Sequence, residues 1–275
     1  MASVINVFKD SIDLAKKNYL KLLGLYMLIL VIFAVLEVIA ILLTAGAALS
    51  AASGISSPLT FIPLVLIVFI AGILISPIWN GIYYSLAIQG MKKSRKTNLD
   101  KAFGDSKKVY RKMLWTSVIQ TVIMVIIFGI ILTPDIPYIL SIRSGSSALS
   151  NPLLFLSTLG ITALVFIVVA LILGALFFVA VPLAMLDGSS GISAIRKSFT
   201  IARKYFWSII VLLVLSLIAY VVIFAITEIF ALGFSAINPI LGIVVSLVLT
   251  VLLESLMVGV VGFLPIVFYK RFVKS

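Results

Sequence analysis

Two acidic side chains, Glu37 and Glu254, interrupt long apolar stretches of the chain. Glu37 follows Lys21 by 16 residues, and Glu254 precedes Lys270 by 16 residues. Because a helix rises about 1.5 Å per residue, both carboxyl groups lie about 24 Å from those cations, at a matching level. A carboxylate inside a membrane costs roughly 2.5–3.5 kcal/mol to insert. Either the two form a proton or cation site and share one proton, or each is protonated, hydrogen-bonded to a neighbouring helix or close enough to the surface to reach water.

Two amides lie in other apolar stretches, Asn80 close to Pro77 and Gln120 further along the chain. Amides inside a helix bundle usually hydrogen-bond across helices, whereas a broken helix beside a polar residue can form a substrate site. Both interpretations stay open. Asn80 and Gln120 therefore join Glu37 and Glu254 as candidates for an ion, proton or substrate site. Glu228 lies nearer the end of its apolar run, where we expect it to meet water.

The composition limits the chemistry that these residues can take part in. Of 275 residues, 63% are hydrophobic and 11% are charged, and the chain has neither cysteine nor histidine. Zinc sites of the usual ligand sets and Ser-His-Asp or Cys-His catalysis are excluded, because each needs one of the two missing residue types. We therefore expect a polytopic membrane protein that is not an enzyme and has no cofactor and no metal.

Six apolar runs are long enough to cross a bilayer, which takes about 20 residues. They predict transmembrane helices over approximately residues 20–45, 58–89, 114–133, 151–186, 206–232 and 239–269. Residues 3–17 have apolar side chains at helical spacing and charged ones between them, which is typical of an amphipathic helix on a membrane surface. Segments 98–113 and 190–205 show the same pattern. We refer to these three stretches as the interfacial segments.

The three interfacial segments align on Ser11, Ser106 and Ser198. Each serine is followed, five and six residues later, by a basic pair: Lys16-Lys17, Arg111-Lys112 and Arg203-Lys204. Eight residues before each serine stands a plausible N-cap: Ser3, Asn98 and Ser190. The alignment predicts one membrane domain, 1–275, built from repeats of about 1–97, 98–189 and 190–275. The alternative is that topology alone imposes an order of basic and then apolar residues.

The fold class predicted is therefore an all-α polytopic membrane protein with six transmembrane helices, arranged as three repeated hairpins, each preceded by a cytoplasmic amphipathic helix. Twenty of the 21 basic residues lie in the segments on one side, and Arg143 is the exception. The positive-inside rule places that side, with both termini, in the cytoplasm of a cell membrane. We expect the exposed cations to contact anionic inner-leaflet lipids or a protein partner, and not nucleic acid. They are Lys16, Lys17, Lys107, Lys108, Arg111, Lys112, Arg196, Lys197, Arg203 and Lys204.

One resemblance rests on the sequence GSSGISAIRKSFTIARKYFWSIIVLLV and its counterpart INVFKDSIDLAKKNYLKLLGLYML. Both resemble the segments that lead into the membrane in a broad prokaryotic set of six-span proteins. That set includes the membrane domain of some glycerophosphodiester phosphodiesterases and several uncharacterised archaeal and bacterial families. The resemblance implies a fold and a membrane location. It implies no reaction, because the phosphodiesterase activity belongs to a separate domain whose metal-binding carboxylates and histidine have no counterpart in this sequence.

Two functions follow from these patterns, with a third kept as a minor alternative. The first is a non-enzymatic membrane protein of scaffold or accessory type, for which the basic interfacial segments form the functional surface. The second is a permease or substrate-binding component of a transporter, with Glu37 and Glu254 at an outer cavity. The third is a lipid-modifying enzyme, which without His or Cys would need clustered carboxylates with a metal or an arginine. Whether the side chains of Glu37 and Glu254 converge on a solvent-connected cavity distinguishes the first two.

Overall fold

The computed structural model describes residues 2–32, 34–35, 62–92, 97–133 and 152–274, and this part of the chain contains helices and no strands. Its elements are α1 (Ala2–Lys17), α2 (Tyr19–Ile32), α3 (Ile62–Gly90), α4 (Leu99–Leu132), α5 (Pro152–Phe177), α6 (Leu183–Leu186), α7 (Gly191–Ser235) and α8 (Pro239–Phe268), followed by a π-helical turn (Tyr269–Val273). Glu37, Arg143 and the start of the second predicted span lie outside the described residues.

Among the described residues, five helical segments are long and apolar enough to cross a membrane, as expected of an integral membrane protein. They are Phe69–Gly90, Leu99–Leu132, Gly160–Phe177, Gly191–Ser235 and Pro239–Val273. The shorter apolar helix α2 occupies the beginning of the first predicted span. The described chain is thus all-helical with several membrane-spanning helices, in agreement with the predicted class.

Helix starts follow the predicted capping residues in part. The Asn98 side chain accepts a hydrogen bond from the Lys101 backbone N–H at 3.0 Å, and Ser190 forms a capping box with Ser193. The Asn238 side chain likewise caps α8, whose first residue is Pro239. Each side chain satisfies N–H groups that the first helical turn leaves unpaired. The prediction of Ser3 as an N-cap is wrong, because α1 begins at Ala2 and Ser3 lies inside it.

The fourth predicted span is not continuous, which corrects the expectation of one helix as far as Leu186. The helix α5 ends at Phe177, and residues 178–182 form turns before the short α6. Pro182 at the end of these turns has no N–H to donate to a preceding helical carbonyl. The Ser198 hydroxyl donates to the Leu176 carbonyl at 2.7 Å, so a side chain from α7 satisfies a carbonyl in the last turn of α5.

Two interfacial segments are separated from the following apolar helix at the same place. The helix α1 ends at Lys17 and Asn18 is a turn, whereas α7 loses helical geometry at Tyr205, with φ −120° and ψ 23°. Asn18 and Tyr205 each follow their basic pair directly and lie seven residues after the aligned serine. In α4 the helix continues through the equivalent Met113. The basic pair therefore marks a change of direction in the first and third segments.

The buried core lies at the end of the bundle that carries the basic residues. It is built from three stretches at the ends of α3, α5 and α8, namely 79–87, 175–184 and 260–269, and from the apolar faces of the interfacial segments. Towards the other end, α4, α5, α7 and α8 carry many exposed large apolar side chains, such as Ile130, Ile161, Phe224 and Ile243. Apolar surface of that kind suits contact with lipid.

The second and third interfacial segments each pack on the apolar helix that precedes them in the chain. The N-terminal part of α4 lies on α3, and α7 lies on α5, whereas α1 lies on α8, the last helix. The approach of α4 to α3 is close, since a Cβ atom at Gly81 would lie 2.3 Å from Ser106 Oγ. The contact of α1 with α8 brings the two ends of the chain together, and an ion pair between Arg271 and Asp10 joins them.

Candidate functional site

Glu254 is held by a side chain from the first apolar helix. The Tyr26 hydroxyl of α2 donates a hydrogen bond to Glu254 Oε2 on α8. Two turns nearer the start of α2, the Tyr19 hydroxyl donates to the Leu252 carbonyl at 3.1 Å. These two bonds fix α2 against the middle of α8, and they leave the other carboxyl oxygen of Glu254 available. Glu254 is partly buried there.

Two cavities adjoin the pair formed by Tyr26 and Glu254, because Tyr26 lines one of them and Glu254 lines the other. The larger one, about 690 Å³, lies between α2, the end of α7 and the start of α8, and it is mostly apolar with the hydroxyls of Tyr26, Ser235, Ser246 and Thr250. The smaller one, about 420 Å³, lies between α7 and α8 and is lined by Tyr220, Val221, Ile223, Phe224, Thr227, Glu228, Thr250 and Glu254. Thr250 borders both cavities.

The polar side chains of these cavities lie on two helix faces. Ser246, Thr250 and Glu254 are spaced four residues apart, so they follow one face of α8. Tyr220, Thr227 and Glu228 are seven and eight residues apart on α7. Among the described residues, no lysine or arginine lines either cavity. The arrangement offers carboxyl and hydroxyl oxygens beside apolar walls, which is the chemistry that a proton, a cation or an amphipathic molecule with a cationic or hydrogen-bonding group would need.

The structure brings only part of the predicted set together. Glu254 lies at the cavities, and Glu37 is outside the described residues, so their predicted meeting remains a prediction. Neither Asn80 nor Gln120 lines the two cavities. Glu228, which we expected only to meet water, is exposed and borders the same cavity as Glu254. The spacing of four residues between Ser246, Thr250 and Glu254 is the sequence signal that identifies the hydroxyls our prediction missed.

Asn80 lies on α3 and Gln120 lies on α4, and a site at either amide stays a prediction. Hydroxyls from α4 reach the carbonyls around Pro77, because Tyr110 donates to Leu74 O at 3.0 Å and Ser106 donates to Ile78 O at 2.8 Å. Asn80 makes no such bond within the described chain. The Gln120 carbonyl oxygen is buried and has no hydrogen-bond partner in that part of the protein.

An aromatic pair in the core also carries unpaired polar atoms. Trp79 and Tyr83 lie edge to face on α3, with ring centroids 5.7 Å apart. No hydrogen bond of normal geometry satisfies Trp79 Nε1 or Tyr83 Oη among the described residues, although both side chains are buried. Tyr83 also packs on Phe263 of α8 and against Gly262. This pair is enclosed in the packed end of the bundle, away from the lining of the two cavities.

The second candidate region is the basic face of the interfacial segments. All ten cations predicted to contact lipid or a partner are exposed: Lys16, Lys17, Lys107, Lys108, Arg111, Lys112, Arg196, Lys197, Arg203 and Lys204. On the opposite faces, the three aligned serines are fully buried, with Ser11, Ser106 and Ser198 each 0% exposed. The predicted amphipathic character of these segments is therefore present in the fold.

Polar contacts that the sequence does not reveal hold this end of the bundle together. The Lys21 ammonium donates to the Thr97 carbonyl and hydroxyl, and the Thr97 hydroxyl donates to Asn18 Oδ1 at 2.6 Å. Gln89 Oε1 accepts from the Asn98 backbone N–H at 2.8 Å. These bonds tie the start of α4 to the first interfacial segment and to the end of α3. Since the partners lie up to 79 residues apart in the chain, no local pattern predicts them.

A comparable contact holds the start of α7. Lys197 forms an ion pair with Asp187 at 2.9 Å and also donates to the Ser189 hydroxyl. Burial raises the pKa of the Asp187 carboxyl, but the hydrogen bonds from Lys197 and Ser189 outweigh this effect and hold the pKa below its ordinary value. The Gly191 backbone N–H donates to Thr116 Oγ1 at 2.8 Å, which joins α7 to α4.

Among the described residues, no group of three or more Asp or Glu side chains is arranged to hold a metal ion. Comparisons with known proteins add no further assignment: no protein-family model, no curated protein and no solved structure matches this chain.

Proposed function

We propose that the protein is a non-enzymatic, multi-pass membrane protein that binds a ligand in the half of the bundle opposite the basic face, as a permease or as the substrate-binding component of a transporter. The observation that carries this proposal is the position of Glu254, which lines the smaller cavity and is hydrogen-bonded to Tyr26, a residue of the larger one. A carboxyl group in an apolar span is expensive unless it has a function or a partner, and here it borders open space. With the basic face cytoplasmic, the cavities open towards the outer leaflet.

The lining of the cavities favours a particular class of ligand. Both cavities have apolar walls and hydroxyls, and the smaller one also has the carboxyl groups of Glu228 and Glu254, with no cation among the described lining residues. This lining matches a lipophilic cation or an amphipathic molecule with a cationic group. The other end of the bundle is closed by the buried core, so ligand would enter and leave from the outer side or from the membrane in this conformation.

The test is equilibrium binding of tetraphenylphosphonium, a lipophilic cation, to the purified protein in detergent. We expect Glu254→Gln to weaken binding about tenfold, corresponding to about 1.4 kcal/mol, because the attraction to the cation is lost. Asp13→Asn is the matched control, since it removes an exposed carboxylate from α1, outside both cavities. Equal binding by the wild-type protein and the Glu254→Gln variant would rule out this ligand class at Glu254.

A scaffold or accessory role is the second candidate, favoured by the ten exposed cations of the interfacial segments. Such a surface suits an anionic leaflet or an acidic partner. Copurification of the intact protein in mild detergent tests this role, with Lys107→Gln/Lys108→Gln as the variant: a stoichiometric partner that is lost with those charges supports it. Retention of the same partner by the variant contradicts it.

We also infer that the chain is triplicated, with six spans in three hairpins. Support comes from burial, since the residues four before each aligned serine, Val7, Ala102 and Ala194, are all 0% exposed. The second and third interfacial segments lie on the preceding helix, and α1 lies on α8. The last apolar helix thus takes the place that a preceding helix has for the other two segments. This arrangement agrees with the resemblance to six-span prokaryotic membrane proteins.

A further inference from the structure

A groove on the third interfacial segment combines charge with apolar walls. It measures about 300 Å³ and is lined by Ile192, Ile195, Arg196, Phe199, Thr200 and Arg203. All six residues precede the change of direction at Tyr205, so the groove belongs to the interfacial part of α7 and not to its spanning part. It is far in sequence from the residues that line the cavities beside Glu254.

The two arginines face the same side of the helix. Arg196 and Arg203 are seven residues apart, which is close to two turns and about 10.5 Å along the axis, with Thr200 between them. Both guanidinium groups are exposed. Their long side chains can therefore converge on one anionic group placed over Thr200, and guanidinium groups bind phosphate oxygens with paired hydrogen bonds.

The arginines are free to bind such a group. Within the described chain, neither forms an ion pair with a carboxylate, and Asp187 is paired with Lys197. The described residues that line the groove include no acidic side chain. The groove floor is firm, since the Phe199 ring packs on Phe177 of α5 with ring centroids 5.4 Å apart.

Exposed apolar side chains lie in the groove and shortly after it in the chain. Ile192 is 66% exposed, and Trp207, four residues after Arg203, is 75% exposed. Tryptophan is enriched at the level of lipid headgroups. An acidic protein would leave these apolar side chains in water, whereas a phospholipid covers them with its acyl chains. Charge and apolar surface together therefore favour a lipid.

We propose that this groove is a binding site for one anionic phospholipid of the inner leaflet, with the phosphate between Arg196 and Arg203 and an acyl chain along Ile192 and Phe199. The assignment to the inner leaflet depends on the orientation given in the proposed function, whereas the binding of the phospholipid does not. An assay in detergent therefore tests the site even if the orientation or the ligand at Glu254 is wrong.

The experiment is native mass spectrometry of the full chain in detergent, with phosphatidylglycerol or phosphatidylcholine added at equal concentrations. We expect wild-type protein to retain phosphatidylglycerol more strongly. Arg196→Gln/Arg203→Gln should lower the affinity for phosphatidylglycerol about 30-fold, since each cation contributes about 1 kcal/mol near an anionic headgroup. Lys16→Gln/Lys17→Gln is the matched control, because it removes two exposed cations from α1, and its effect should be below about twofold, since it leaves the groove intact.

The other outcomes separate the alternatives. Equal losses in the two double variants would mean a general attraction of basic residues for anionic lipid and would overturn the site. Ile192→Ser should also weaken phosphatidylglycerol binding. If it has no effect while millimolar inorganic phosphate displaces the lipid, the groove binds free phosphate and the proposal fails. Unchanged lipid affinity together with an acidic protein that depends on the two arginines would also overturn it. Circular dichroism checks that each variant is folded.

Discussion

At the scale of single residues, the aligned serines have different roles despite their equal burial. Ser198 Oγ donates to Leu176 O on another helix, whereas Ser11 Oγ donates to Val7 O in its own helix. An interhelical hydrogen bond in a membrane protein contributes about 0.6 kcal/mol on average and up to about 1.7. We expect Ser198→Ala to lower the free energy of unfolding by about 1 kcal/mol and Ser11→Ala by less, measured by denaturation in mixed micelles. Equal losses would mean that the bond to Leu176 contributes nothing specific.

The ion pair of Asp187 with Lys197 predicts a dependence of stability on pH. Because the pKa of Asp187 is lowered in the fold, its contribution is present above the pKa of the unfolded chain and is lost as pH falls through the folded value. We expect Asp187→Asn to reduce the loss of thermal stability that accompanies acidification below about pH 4, near the ordinary aspartate pKa. Asp13→Asn, at an exposed position without an ion pair in the described chain, is the control. An identical acid response in wild type and Asp187→Asn contradicts the prediction.

The residues of the candidate site were only partly predictable for a physical reason. Glu254 is conspicuous because a carboxyl group in an apolar run is costly wherever the helix lies. Its partner Tyr26 is not conspicuous, since a tyrosine in an apolar helix is common and their pairing depends on how α2 packs against α8. Local spacing identifies a helix face, such as that of Thr250 and Glu254, but not the helix opposite it.

At the scale of elements, helix starts were better predicted than helix interiors. Asn98 and Ser190 cap their helices as expected because capping depends on residues within one turn. The turns at 178–182 were missed, because an apolar run with one proline can also form a kinked helix. Because α7 packs on α5, the Ser198 hydroxyl can donate to the Leu176 carbonyl next to the break in the helix. The sequence near Pro182 does not indicate this contact.

The contact of α3 with α4 supports a prediction about helix approach. We expect Gly81→Ala to destabilise the fold by about 1–3 kcal/mol, because its Cβ would lie 2.3 Å from Ser106 Oγ. Gly104→Ala, where a Cβ meets nothing within 4 Å, should be neutral or stabilising by up to about 1 kcal/mol.

A double-mutant cycle locates that effect at the interface. The cost of Gly81→Ala should fall when Ser106→Gly is also present, because the obstructing side chain is gone. Denaturation in mixed micelles gives the four free energies of unfolding. If the free-energy costs of the two substitutions are additive, the strain caused by Gly81→Ala does not arise from contact with Ser106.

At the scale of the whole molecule, two properties divide the described part of the bundle into two ends, which we call the closed end and the open end. The closed end combines the buried core, the polar contacts around Lys21 and the exposed cations. The open end has the cavities beside Glu254 and exposed apolar side chains. The charge pattern of the sequence predicted which end faces the cytoplasm, but the closure of that end depends on α1 returning to α8, a contact between the two ends of the chain.

This division predicts opposite accessibility for two positions. The chain has no cysteine, so a single introduced cysteine reports without a background. Ile237, 77% exposed between α7 and α8, lies at the open end, and Lys107 is exposed on the basic face. In intact cells a membrane-impermeant maleimide should label Ile237→Cys, and it should label Lys107→Cys only after permeabilisation, because the positive-inside rule places the basic face in the cytoplasm. If only Lys107→Cys were labelled in intact cells, the topology would be the inverse of the predicted one, and the cavities beside Glu254 would face the cytoplasm.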